Sequence, residues 1–197
     1  ERKMRKIAID VDDVLANFHT ALIDWHNENY GTSLKISDII SYHFHKVWGG
    51  TTEETLQKIS LFSNSIFFKT LQPLFGAVNA VNILSRENEL YVVTSRSSLL
   101  EEKTRIWLDE FFKDRFLGIF HSSNHYSKAK NSGKTKLDLC KELGASVLID
   151  DSLDYVLQCD STRVKGILFG DYPWNQEGEI SNKLRARNWK EVLEKLT

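Results

Sequence analysis

The chain has little cysteine, little proline and almost no net charge, and each shortage narrows what it can be. The 2 cysteines, Cys140 and Cys159, have neither CxxC spacing nor the density of a disulfide-stapled secreted domain. Both fall in apolar helical patterns, so buried thiols in a reducing compartment are expected. Lys plus Arg number 26 and Asp plus Glu 27, so no long-range field draws a polyanion. A nucleic acid polymer and an anionic membrane are therefore excluded as default partners. No apolar run approaches the roughly 20 residues of a bilayer span. The start, Glu1-Arg2-Lys3-Met4-Arg5-Lys6, is basic, yet only Ile7 to Ile9 precede Asp10, too few for a signal-peptide core. A soluble, cytoplasmic protein is expected. With 2 prolines, the chain also lacks a Pro/Gly/Ser linker, a repeat and a low-complexity tract.

What is present is ordinary globular composition, 41% hydrophobic and 27% charged over 197 residues, enough for one domain with a small insertion. Short apolar runs alternate with amphipathic segments, the pattern of an α/β fold with a parallel sheet and crossover helices. Strands are expected over 6–10, 90–94, 118–121, 147–150 and 164–169, and helices over 77–86, 99–112, 137–143 and 189–196. Gly144 suits a helix stop and Asn188 an N-cap. From about Phe18 to Pro73 the alternation fails. Helical patterns over 21–29 and 52–62 flank the aromatic piece Tyr42-His43-Phe44-His45-Lys46-Val47-Trp48, which reads as a helical insertion after the first strand.

Four polar clusters stand out against this framework. Asp10-Val11-Asp12-Asp13 ends the first strand, and so many carboxylates at the end of a buried strand need a cation or a proton to compensate them. Thr94-Ser95-Arg96 ends the second strand, offering hydroxyls and loop N–H groups to an anion; Arg96 suits either a phosphate or a pairing with Glu101 or Glu102. Gly133-Lys134-Thr135-Lys136 precedes a helix; a P-loop is excluded, because Lys128 stands where that motif needs glycine and no strand directly precedes it. Asp150-Asp151 ends another strand. In an open α/β sheet the carboxyl ends of parallel strands form the ligand crevice, so these clusters would meet there. Two acidic clusters on neighbouring strands then call for a hard cation between them, which oxygen ligands and Mg²⁺ satisfy. His121 and His125, and His43 beside His45, lack a Glu or Cys at ligand spacing and read as exposed or insertion histidines.

Taken in order, Asp10-x-Asp12-x-Val14 after a strand, a strand ending in Thr94, a later lysine and a strand ending in Asp150-Asp151 resemble the four motifs of the haloacid dehalogenase (HAD) superfamily. The Asp10–Asp12 pair resembles its phosphatase branch. Asp10-Val11-Asp12-Asp13-Val14-Leu15-Ala16-Asn17-Phe18, Pro73-Leu74-Phe75-Gly76-Ala77, Thr94-Ser95-Arg96 and Leu148-Ile149-Asp150-Asp151 are similar to segments of the 5′(3′)-deoxyribonucleotidases and their bacterial and phage relatives. Asp13 stands where many members have glycine.

The resemblance implies a three-layer Rossmann-like core (1–17 and 74–197) with a helical cap (18–73). It implies Asp10 as nucleophile, through an aspartyl-phosphate, and Asp12 as acid–base. Mg²⁺ would sit on Asp10, the Asp12 carbonyl, Asp150 and Asp151. Thr94, Ser95, Arg96 and Lys136, with Lys134 as rival, would bind phosphate. Phe18 matches a position where family members set an aromatic against the base, and Phe44, Trp48 and Tyr42 are further candidates for the substrate pocket, since planar rings stack on bases. The expected activity is 5′-nucleotidase action on (deoxy)ribonucleoside monophosphates. Hydrolysis of a sugar phosphate or phosphoglycolate is the alternative, with a catalytically silent nucleotide-binding protein behind it. A phospho-receiver domain is excluded by order, since its acidic pair comes first and its Thr and Lys last. A homodimer is the one assembly left open.

Overall fold

The apolar runs pair into one sheet in the computed structural model, which describes residues 4–123, 133–176 and 184–197. Strands β1 (Arg5–Ile9), β2 (Asn88–Thr94), β3 (Phe116–His121), β4 (Val147–Asp150), β5 (Lys165–Phe169) and β6 (Arg185–Ala186) form a 6-stranded sheet in the order β3-β2-β1-β4-β5-β6. Every neighbouring pair is parallel. β1 sits between β2 and β4, with Ile9 level with both Val92 and Ile149. The strand order reverses at β1, and the crevice therefore opens beyond Asp10, Thr94 and Asp150.

A parallel sheet must be covered on both faces, and the side-chain alternation along β1 does this. Ile7 and Ile9 join the larger apolar cluster, while Ala8 turns to a smaller one with Val93 and Leu148. All three β1 residues are fully buried, each large aliphatic side chain contributing about 1.5–3 kcal/mol. Between β1 and β2 lie α1 (Phe18–Tyr30), α2 (His45–Trp48), α3 (Thr52–Ser63), α4 (Ile66–Lys69) and then α5 (Ala77–Leu84). Farther on come α6 (Glu101–Phe111), α7 (Lys136–Leu143), α8 (Leu153–Gln158) and α9 (Trp189–Leu196). Side chains of α5, α6 and α9 pack into the larger cluster and those of α7 onto the smaller, giving three layers with the sheet in the middle.

Local chemistry fixes the ends. Thr51 and Glu54 form a reciprocal capping box on α3, and Thr135 and Asp138 one on α7. Gly144 closes α7 in the left-handed region at φ 69°. Asn188 Oδ1 accepts from Glu191 N at 3.0 Å, starting α9. The expected helix over 99–112 is split: Ser97 Oγ accepts from Leu99 N, so Ser98–Leu100 forms a 3₁₀ turn before α6. The expected helix over 77–86 stops at Leu84, and β6 is too short to give a period in the sequence. Cys140 and Cys159 are free and buried, their thiols pushed up by burial to about 12 and about 11. Among the described residues no helix is long and apolar enough to cross a membrane.

The insertion is not a detached lobe. Leu22, Trp25, Phe62 and Phe68 share the larger cluster with Ile7 and Ile9. The loop leaving β1 is pinned from three sides: Leu74 N donates to Leu15 O at 2.7 Å, Trp189 Nε1 to Val14 O at 2.8 Å, and Tyr172 OH to Asp13 O at 2.9 Å. Asp13 takes φ 56°, a left-handed conformation that explains why glycine is at home there and that Asp tolerates better than most residues.

Candidate active site

The carboxyl ends of β1, β2 and β4, with the start of α7, converge on the floor of a cavity of about 270 Å³. Asp10 is fixed from behind by its own N–H, which donates to Ile149 O at 3.0 Å. The Lys136 ammonium, 1% exposed, lies 3.0 Å from Asp10 Oδ2 and 2.6 Å from Asp150 Oδ2. It also stands 4.6 Å from the centre of the Tyr155 ring. Asp150 Oδ1 accepts the Ser152 N–H at 2.9 Å. Asp151 Oδ2 accepts from Tyr42 OH at 2.9 Å and Trp174 Nε1 at 2.7 Å, so the insertion and the loop after β5 both grip it.

Burial dominates the electrostatics. It pushes the Asp10 carboxyl up to about 7, Lys136 pulling the other way and Asp150 and Asp12 adding to the rise. Burial likewise raises Asp150, against Lys136, and lifts Asp151 well above the carboxylate range, helped by Asp150 and Asp10. For Lys136 burial works against the charge, but Asp10 and Asp150 outweigh it and hold the ammonium protonated. Asp10, Asp150 and Asp151 each present an oxygen, all within 4.8 Å of one another and all buried. Three carboxylates against one ammonium leave a deficit of positive charge, and an all-oxygen set of this kind fits a hard divalent cation such as Mg²⁺.

The other expected residues divide by place. Thr94 lines the cavity, its Oγ1 accepting from Arg96 N at 3.2 Å. Ser95 Oγ meets Ser122 Oγ at 3.0 Å and donates to Tyr155 OH at 3.1 Å. Asp12 also lines the cavity, and both its carboxylate oxygens face the Arg96 guanidinium. Phe18, Tyr42 and Phe44 of the insertion also line the cavity, with Leu56 and Ile59. Two residues lie elsewhere. Lys134 pairs with Glu142 at 2.7 Å on the surface, because it precedes the N-cap Thr135 while Lys136 occupies the first position of α7 facing the sheet. Trp48 stands behind Phe44, stacked on it at 4.9 Å and on His26 at 4.7 Å, outside the cavity lining.

Histidines correct one expectation and add a residue. His121 is buried at the end of β3, its Nδ1 donating to Arg96 O at 2.9 Å, and is no exposed histidine. His125 lies outside the described residues. His19, unremarked in the sequence, lines the cavity: it pairs through Nδ1 with the Asp13 carboxylate and stacks on Trp174 at 4.2 Å. Asp13 lies on the left-handed turn after β1 and His19 in the first turn of α1, so no single helix or strand runs through both and announces the pair. Tyr155 likewise enters the site through tertiary packing without a motif.

Known proteins of similar sequence and shape agree with this picture. The model of the family described as 5′ nucleotidase, deoxy (Pyrimidine), cytosolic type C protein matches residues 3–196. The 5′(3′)-deoxyribonucleotidase of Bacillus subtilis is 27% identical over 192 residues, covering 96% of this chain and 97% of its own. In fold the chain is similar to the haloacid dehalogenase-like hydrolase SP0104 of Streptococcus pneumoniae, with a TM-score of 0.71, 14% identity and 98% and 99% of the two chains covered. It is also similar to YfnB of Bacillus subtilis, solved bound to magnesium, with a TM-score of 0.62, 16% identity and 98% of each chain covered. A match running almost end to end, on a fold whose strand ends carry the motifs in the expected order, places the chain in the cytosolic type C 5′-nucleotidase family of HAD-type phosphomonoester hydrolases.

Proposed function

We propose that the protein hydrolyses nucleoside monophosphates, deoxyribonucleotides favoured, through a phosphoryl-enzyme formed on Asp10. The observation that carries this reading is the cavity itself: a buried carboxylate beside an ammonium on its floor, and aromatic rings of the insertion in the same lining. A phosphate is drawn to the floor and a planar base to the rings. The aromatic wall weighs against a sugar phosphate or phosphoglycolate.

Asp10 would attack phosphorus in line, forming a P–O bond as the ester P–O bond breaks. Asp12 would give a proton to the departing alkoxide. It would then take one from the water that attacks phosphorus and releases Asp10. Thr94, whose hydroxyl oxygen already accepts from Arg96 N, has its proton left to donate to a non-bridging oxygen, with the Ser95 N–H beside it. Lys136 would hold Asp10 in place and meet the phosphoryl charge. Mg²⁺ would be held by Asp10, Asp150, Asp151 and the Asp12 carbonyl. When bound, it supplies positive charge to the phosphoryl oxygens and lets the carboxylates coexist. Residues 18–73 act as the cap that chooses the substrate, with Phe18, Phe44 and Tyr42 as its contacts.

The test is a phosphate-release screen with Mg²⁺ over nucleoside 5′- and 3′-monophosphates, sugar phosphates and phosphoglycolate, with Asp10→Asn as control. Release from deoxynucleotides that vanishes in the variant is expected. Release from sugar phosphates alone would transfer the assignment to that class, and no release from any ester would end it.

A further inference from the structure

We propose that Arg96 is a positioning residue that fixes the Asp12 carboxylate for proton transfer, and that it does not bind the phosphate. The inference rests on the acid–base role given to Asp12 above.

The backbone of Arg96 is held at both ends of the residue. Its N–H donates to Thr94 Oγ1 at 3.2 Å, and its carbonyl accepts from His121 Nδ1 at 2.9 Å. From that anchor the side chain, 3% exposed, turns back toward the loop after β1. Nε lies 3.1 Å from Asp12 Oδ1 and 3.0 Å from Oδ2, and Nη2 lies 2.6 Å from Oδ1. Nη1 donates to Thr104 Oγ1 at 3.1 Å, inside α6, where Thr104 is completely buried. The guanidinium lies 5.0 Å from the centre of the Phe68 ring. Asp12, Thr104 and Phe68 thus fix the plane of the guanidinium from three elements.

Two consequences follow. Reaching a phosphate would require the guanidinium to abandon a charge-assisted forked pair and a buried hydroxyl together, so Arg96 is spent as an anion ligand. Conversely, among the described residues Arg96 is the only side chain bonded to the Asp12 carboxylate, which is 23% exposed and sits on a loop. A group that gives and takes a proton needs one fixed orientation, since misplacement alone costs rate. Phe68 belongs to α4 of the insertion, so the segment proposed to cover the substrate reaches the acid–base group through Arg96.

The experiment compares wild type with Arg96→Ala and Arg96→Lys as full chains. With Arg96→Ala, kcat should fall roughly 10²-fold while KM and inhibition by inorganic phosphate stay within about threefold. Added guanidinium should restore part of kcat, and Arg96→Lys should lie between, since an ammonium cannot make the fork. A crystal structure of Arg96→Ala should show Asp12 in more than one rotamer. Should alanine at 96 fail to fold, Thr104→Val, which removes only the Nη1 acceptor, should lower kcat with the same unchanged KM. A tenfold rise in KM and in the phosphate inhibition constant at preserved kcat would overturn the proposal, as would an unmoved Asp12 in the variant structure. That structural arm needs no turnover. Inactivity of wild type on every ester would therefore remove the functional reading and leave the placement of Asp12 to be decided by the variant's structure.

Discussion

The floor and the roof of the cavity are built on opposite plans. The floor is Asp10, Lys136, Asp150 and Asp151, every one buried and bonded to a neighbour at the end of a strand or the start of a helix. The roof is Phe18, at the start of α1, with Tyr42 and Phe44 on the loop before α2; Phe18 and Phe44 are held by ring contacts, and Tyr42 also by its hydroxyl, which donates to Asp151. Phe18 meets Phe62 edge-on at 5.4 Å, and Phe44 stacks on Trp48 at 4.9 Å. Charge at the floor is specific in direction and costly to disturb. Rings at the roof are adaptable in what they accept. Chemistry is therefore assigned to the floor and selection to the roof, and substitutions should separate the two.

The largest effect belongs to the floor. Asp10→Asn should cost turnover at least on the order of 10²–10⁴-fold, measured as phosphate release, while substrate binding survives. Next is Lys136→Met. It leaves Asp10 and Asp150 buried without their cation, so the unfolding free energy should fall by about 3–5 kcal/mol in denaturant titration in the absence of Mg²⁺, with part of the loss recovered when Mg²⁺ is added. A roof substitution should behave differently: Phe44→Ala should raise KM for a nucleotide about tenfold and change kcat little. If it lowered kcat and left KM alone, floor and roof would not be separable.

The roof's own support should also depend on pH. His26, 1% exposed, is stacked between Trp48 and Tyr30, at 4.7 Å and 4.6 Å. Lys58 donates to its Nε2 at 3.1 Å, which leaves Nδ1–H for Thr32 Oγ1 at 2.8 Å, and Thr32 in turn donates to Asn27. Burial first, and Lys58 second, lower this histidine from 6.5 to about 4. Its folded pKa lies below the unfolded one, so the unfolded chain binds more protons across that window. The stability it contributes is complete above pH 6.5 and is lost as pH falls toward 4, by roughly 3 kcal/mol at most. Unfolding measured from pH 7 to 4 should show this slope in wild type and a shallower one in His26→Phe.

The contrast also sets what the sequence could disclose. Asp10, Thr94 and Asp150 are legible because each ends an apolar strand, and a parallel sheet brings such ends to one edge. Lys136 is favoured over its rival Lys134 by its place just before the helix, and the cap at Thr135 is what turns it to the sheet. Arg96 shows as a charge after a strand, but its turn toward Asp12 depends on Thr104 and Phe68, far along the chain. On the roof, aromatic composition announces a hydrophobic wall without saying which ring reaches the cavity. Phe44 does and Trp48 does not, because Phe44, the N-cap of α2, meets the cavity while Trp48, at the other end of that single turn, lies against His26.

The central claim is that Asp10 becomes covalently phosphorylated during turnover. Acid-quenching the wild-type enzyme while it hydrolyses a deoxynucleotide with Mg²⁺, followed by peptide mass spectrometry, tests it most directly. The account predicts one phosphoryl group on the peptide carrying Asp10, absent from Asp10→Asn. A phosphoryl group on any other residue, or sustained turnover by Asp10→Asn, would contradict it.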